Sequence, residues 1–112
     1  MKQESNLKEA TIYIDTSNNK EVIVCLKIDG KVFEKRQMPD HRKGQLVLPF
    51  VEALLKEHHL QLSDLTGIEV NQGPGSFTGL RVGITIANTL GFLLSIPVNN
   101  KKVGEQVAAE YS

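Results

Sequence analysis

Apolar and polar positions alternate through the first third of the chain. In Thr11–Thr16 (TIYIDT) and Glu21–Ile28 (EVIVCLKI) apolar and β-branched residues fall on nearly every second position, and Lys31–Gln37 repeats the pattern more weakly. Period-two alternation places one set of side chains on a core face, so three strands are predicted. The Ser17-Asn18-Asn19-Lys20 cluster supplies a turn, and Asp29-Gly30 is a two-residue hairpin signal. The opening is therefore an antiparallel meander, preceded by a polar tail over residues 1–10.

Beyond residue 40 the period changes. Asp40 is placed to cap a helix reaching about His59, with Leu46, Val47, Leu48, Phe50, Val51, Ala53, Leu54 and Leu55 covering more than one stripe. Pro49 should kink this helix unless it begins only just before that residue. Gly67–Asn71 reads as a buried strand, and Phe77–Leu94 as a second, almost uncharged helix. Ile96–Asn99 is assigned a further strand, and Val103, Val107, Ala108 and Tyr111 a weak terminal helix. The order β-β-β-α-β-α-β-α predicts an α/β layer fold on a mixed five-stranded sheet, with residues 11–112 as one domain.

Composition narrows the function classes. The chain has 112 residues, with thirteen basic side chains against thirteen acidic. No clustered positive field is available to hold a nucleic acid directly, so a role with RNA would run through a partner. Cys25 is the only cysteine, which excludes a disulfide framework, and MKQESNLKEA lacks the apolar core of a signal peptide. A cytoplasmic location is expected. Val82–Val98 is interrupted by Thr85, Asn88, Thr89 and Ser95 and broken by Pro97 before the ~20 residues of a membrane span, so buried core is the expectation and no membrane partner.

The glycine-rich stretch Asn71–Gly79 could cradle a phosphate or permit close packing. The P-loop pattern needs a Lys that is missing here. In the dinucleotide pattern the third glycine would fall at Thr78, and no Asp or Glu occurs between Glu69 and Glu105 to hold a ribose. The following helix favours packing. Gly79, Gly83, Ala87 and Gly91 recur every fourth residue. Glycine in a helix interior costs ~1 kcal/mol relative to alanine, so a ridge of small residues implies a close neighbour. A helix apolar all round must be covered all round. Either the first helix shields it within the molecule, or both helices together meet another protein; the apolar breadth of the first helix favours the second reading.

Gly73–Gly83 (GPGSFTGLRVG), following a strand and opening a helix, is similar to the signature of TsaB/YeaZ-like proteins, accessory subunits for threonylcarbamoyladenosine formation on tRNA. Ile14-Asp15-Thr16-Ser17 resembles that family's first strand and turn, Gln45, Leu48 and Pro49 its Q-x-x-L-P segment, and Leu62-Ser63-Asp64-Leu65 its next link. The likeness extends from about Thr11 to Val98. It implies the N-terminal lobe of an actin-like, heat-shock-chaperone-like ATPase fold with an RNase H-like core. It also implies pairing with a metal-bearing, TsaD-like catalytic subunit through the two helices, and a TsaE-like ATPase in the assembly. ATP and metal would then belong to the partners, with no intrinsic cofactor, and tRNA would be met only through the complex. The interface would comprise Leu46, Pro49, Phe50, Ala53, Gly75, Phe77, Thr78, Gly79, Arg81, Val82, Gly83, Ile86, Ala87 and Leu90. Alone, the chain is expected to form a homodimer.

This sequence departs from the family pattern in three places. The family's second lobe, about another hundred residues, has no counterpart within the 112 residues. Lys43 stands where relatives usually have histidine, and Asn99-Asn100-Lys101-Lys102 replaces a V-S-S-L-like helix start. An alternative reading is an actin-like, nucleotide-binding ATPase domain or homodimer with its own activity. Asp15 is its candidate ligand and Ser17 stands where such ATPases have glycine, which makes these two a vestigial nucleotide or metal site. A strand-end aspartate bonding its own turn is the favoured account. No residue is assigned a catalytic role or a metal. His58 and His59 diverge by roughly 100° on a helix, Cys25 reads as core, and Ser76 lacks the G-x-S-x-G elbow that the glycoprotease-like label of relatives would need.

Overall fold

The structure, a computed structural model, describes residues 9–18, 20–38 and 44–110. Ala10–Asp15 (β1), Val22–Ile28 (β2) and Lys31–Gln37 (β3) form the meander, and Gly67–Val70 (β4) lies parallel to β1, giving the order β3-β2-β1-β4. Strict burial alternation in β1 and β4 turns Ile12, Ile14, Ile68 and Val70 inward. Against that face lie Gly44–Glu57 (α1), through Val47, Val51, Leu54 and Leu55, and Phe77–Leu94 (α2), through Leu80, Ile84, Ala87 and Leu90. The opposite face carries Tyr13, Cys25, Lys27, Glu34 and Glu69, with Lys27 Nζ bonded to Glu69 at 2.6 Å. A parallel β1–β4 pair needs a crossover, and the meander's end together with α1 provides it.

Several boundaries have local causes. Leu60 N donates to Leu55 O and His59 N to Lys56 O while His59 takes φ +60°, a left-handed stop for α1. Asp40, the expected cap, lies outside the described residues. Pro49 sits in the second turn, where its missing N–H leaves the Gln45 carbonyl without its helical donor. Helix α2 has the predicted bounds: Ser76 Oγ accepts from Gly79 N at 3.3 Å at one end, and Ser95 turns left-handed at the other.

Three expectations are corrected. Among the described residues the sheet has four strands, because Val98 makes only an isolated bridge to Ile68. Asn99 then takes φ +53° and its side-chain amide donates to Val70 O and accepts from Val70 N, closing the β4 edge with a side chain in place of a strand. The terminal helix is absent among residues 101–110, where Glu105 N closes a turn onto Lys102 O and Gly104 takes φ +91°. Finally, Ala10, expected in the polar tail, is buried and starts β1, while residues 1–8 lie outside the described residues.

Candidate docking face and glycine loop

The strand β1 and the loop after β4 are joined by a polar knot at the top of the sheet. Asp15 Oδ1 accepts from Ser17 N at 2.9 Å and Ser17 Oγ at 2.6 Å; Oδ2 accepts from Tyr13 Oη and Asn71 Nδ2, each at 3.2 Å. Asn71 Oδ1 accepts from Gly73 N, and Ser17 O from Ser76 N, both at 2.9 Å. Burial pushes the Asp15 carboxyl up, but the bonds from Ser17, Asn71 and Tyr13 outweigh it and hold the group below its ordinary value. Tyr13, half-buried beside this carboxylate, is pushed up to about 12, first by burial and then by Asp15. Asp15 is thus engaged in holding its own turn to the glycine loop. Gly75 has to be glycine for the same reason: a Cβ there would lie 2.7 Å from Ser17 Cβ.

Thr16 fastens the end of β1 to α2. Its buried hydroxyl donates to Gly79 O and accepts from Gly83 N at 3.0 Å, the two groups an α-helix ordinarily joins to each other. A Cβ on Gly83 would lie 2.6 Å from Thr16 Oγ1 and 3.3 Å from Ile14 Cγ2, and one on Gly91 2.5 Å from Val98 Cγ2. The small-residue ridge therefore exists for close packing, as its period predicts, but its neighbours are β1 and the segment after α2. Gly79, Gly83, Ala87 and Leu90, expected at the interface, are instead buried within the chain.

The outward side of α2 remains open. Phe77, Thr78, Arg81, Val82, Thr85 and Ile86 line a shallow apolar groove of about 450 Å³. Phe77 is 57% exposed, and the Arg81 guanidinium lies 5.6 Å from its ring centroid. Farther along, Phe92 and Leu93 are also exposed. Of the expected interface residues, the structure brings Phe77, Thr78, Arg81, Val82 and Ile86 together here. On α1, Pro49 is exposed, whereas Leu46, Phe50 and Ala53 are half-buried, the first two packed on the core. Thr85 was missed: a single neutral threonine carries no chemical signal, and only its i+4 spacing from Arg81 could have marked it.

The other candidates are structural. Cys25 is buried, though on the sheet's outer side, where burial and then the Glu34 carboxylate raise its thiol. His58 Nδ1 lies 2.8 Å from Leu54 O, and its ring is 4.1 Å from that of Phe33. Among the described residues no three His, Cys, Asp or Glu side chains are grouped to hold a metal. By length and composition α2 could cross a membrane, but its glycine side is packed on the sheet.

The chain is similar to known proteins over most of its length. The family model described as "TsaD: tRNA N6-adenosine threonylcarbamoyltransferase" matches residues 39–100. The Bacillus subtilis (strain 168) tRNA threonylcarbamoyladenosine biosynthesis protein TsaB is 36% identical over 96 residues, 86% of this chain and 42% of that relative. A tRNA N6-adenosine threonylcarbamoyltransferase from Chromobacterium violaceum is 47% identical over 69 residues, 62% of this chain and 20% of that protein. The solved structure of YeaZ from Pseudomonas aeruginosa superposes with a TM-score of 0.76 at 31% identity, covering 84% of this chain and 44% of that one. The chain thus spans less than half the length of each of these relatives.

Proposed function

This chain belongs to the TsaD family and is TsaB/YeaZ-like within it, and from that premise we propose that it is a non-catalytic accessory subunit pairing with a TsaD-like catalytic subunit in threonylcarbamoylation of adenosine 37 of tRNA. The observation that carries the pairing is the open groove of Phe77, Thr78, Arg81, Val82, Thr85 and Ile86 on a helix whose other side is already packed. Similarity to both a TsaB and a threonylcarbamoyltransferase supports a near-two-fold pairing of like lobes, in which α2 of each partner meets the other. Arg81, the only charge between Val70 and Asn100, would select a partner helix that is apolar with a carboxylate near one end. A TsaE-like ATPase would join the assembly, tRNA would be met only through the complex, and ATP and metal would be held by the partners.

The test is titration calorimetry of the chain with the catalytic subunit from the same source, with size measured before mixing. The chain alone is expected to scatter light as a dimer through the same face, and to exchange that pairing for a one-to-one heterodimer. Absence of heat and of any size change on mixing would end the proposal.

The commitment of Asp15 to Ser17, Asn71 and Tyr13 argues against nucleotide chemistry by this chain. Phosphate release from ATP by the isolated chain should therefore stay at the buffer rate. Turnover that vanishes in Asp15→Ala would contradict this.

A further inference from the structure

The segment after the last helix is held in an unusual way. Gln106–Glu110 has no secondary structure and is mostly exposed, yet Val107 is 5% exposed. Asn88, on α2, clamps the backbone of Val107 from both sides: Asn88 Nδ2 donates to Val107 O and Val107 N donates to Asn88 Oδ1, each at 3.0 Å. Gln72, at the start of the glycine loop, does the equivalent for the next residues. Its side-chain Nε2 donates to Ala108 O at 2.9 Å, and its backbone carbonyl accepts from Glu110 N at 2.7 Å. The Gln72 side chain is itself fixed by Asn99 Nδ2 at 2.8 Å. Gly73 takes φ +117° directly beneath the segment, and a Cβ there would overlap Glu110 O.

We propose that residues Gln106–Glu110 form a releasable latch that holds the glycine loop, and with it the first turn of α2, in a single position. The latch ties the loop, through Gln72, to the middle of α2, through Asn88. One buried side chain, the amide bonds from Asn88 and Gln72 and one backbone bond hold it, and such segments open locally at far lower free energy than the core around them. Phe77 and Thr78 follow the loop directly, so an open latch loosens the end of the docking groove nearest Arg81. In that last respect it rests on the docking reading; the positioning of the loop does not.

Hydrogen exchange on the full chain tests it without any partner. In Val107→Asp, and in the milder Asn88→Ala, the amides of Gly73 and Ser76, both hydrogen-bonded in the closed loop, should exchange about tenfold faster or more. The β1–β2 amides should keep their protection, which distinguishes latch opening from a failure to fold. Asn88→Asp keeps the acceptor for Val107 N and should fall between wild type and Asn88→Ala. Unchanged loop exchange in both Val107→Asp and Asn88→Ala would overturn the proposal, as would an equal rise across β1 and β2. Loss of the docking reading would leave these exchange rates where they are.

Discussion

Replacing Gly83 with alanine is expected to destabilise the fold, although the same change in the interior of an ordinary helix stabilises it by ~1 kcal/mol. The sign reverses because the added methyl would stand 2.6 Å from Thr16 Oγ1. A threonine hydroxyl on a buried strand end cannot swing aside, and this one is bonded to both Gly79 O and Gly83 N. Overpacking of this kind costs about 1–3 kcal/mol. Expelling the hydroxyl adds the desolvation cost of an unpaired buried polar group, about 1–3 kcal/mol. Gly83→Leu adds further bulk against Ile14, and a loss of several kcal/mol would consume much of a stability that is about 5–15 kcal/mol for a typical domain. The expected result is a fall in melting temperature of about 10 °C or more for Gly83→Leu and a smaller fall for Gly83→Ala. A melting temperature that rises in Gly83→Ala would mean that Thr16 is not seated in the helix.

This result bears on what the sequence could reveal. Periodicity finds a face and says nothing of its neighbour. The four-residue spacing of Gly79, Gly83, Ala87 and Gly91 identified a close contact correctly, but a ridge that receives a helix and one that receives a strand end read alike. The residue that decides between them is Thr16, a polar side chain whose burial leaves no trace in an apolar pattern. Elements with strong local signals were legible: the bounds of α2, set by Ser76 and the turn at Ser95, and the meander, set by alternation and Asp29-Gly30. The fifth strand and terminal helix were not. Ile96–Val98 has strand character, but a left-handed Asn99 ends it and spends its own amide on Val70. Val107, which looked like a helical position, is an anchor gripped by Asn88, a contact made across 19 residues.

Charge placed in the groove separates docking from folding. Thr85 is exposed at the groove's lining, and Thr85→Arg puts a long cation among Val82, Ile86 and Phe77. Arginine favours a helix over threonine by a few tenths of a kcal/mol, and on the separated monomer its guanidinium reaches water, so at a dilution where any homodimer has dissociated the melting temperature should hold or rise slightly. In the complex the same group is trapped between apolar surfaces next to Arg81, with no partner arranged for it. An uncompensated buried charge costs about 3–5 kcal/mol, which corresponds to a loss in affinity of at least a hundredfold. Val32→Arg, on the exposed edge strand β3, places the same charge away from the groove and should bind as wild type does. The two variants thus contrast location at constant chemistry. Wild-type affinity for the catalytic subunit in both would remove the groove from the interface; equal loss in both would point to net charge, with geometry playing no part.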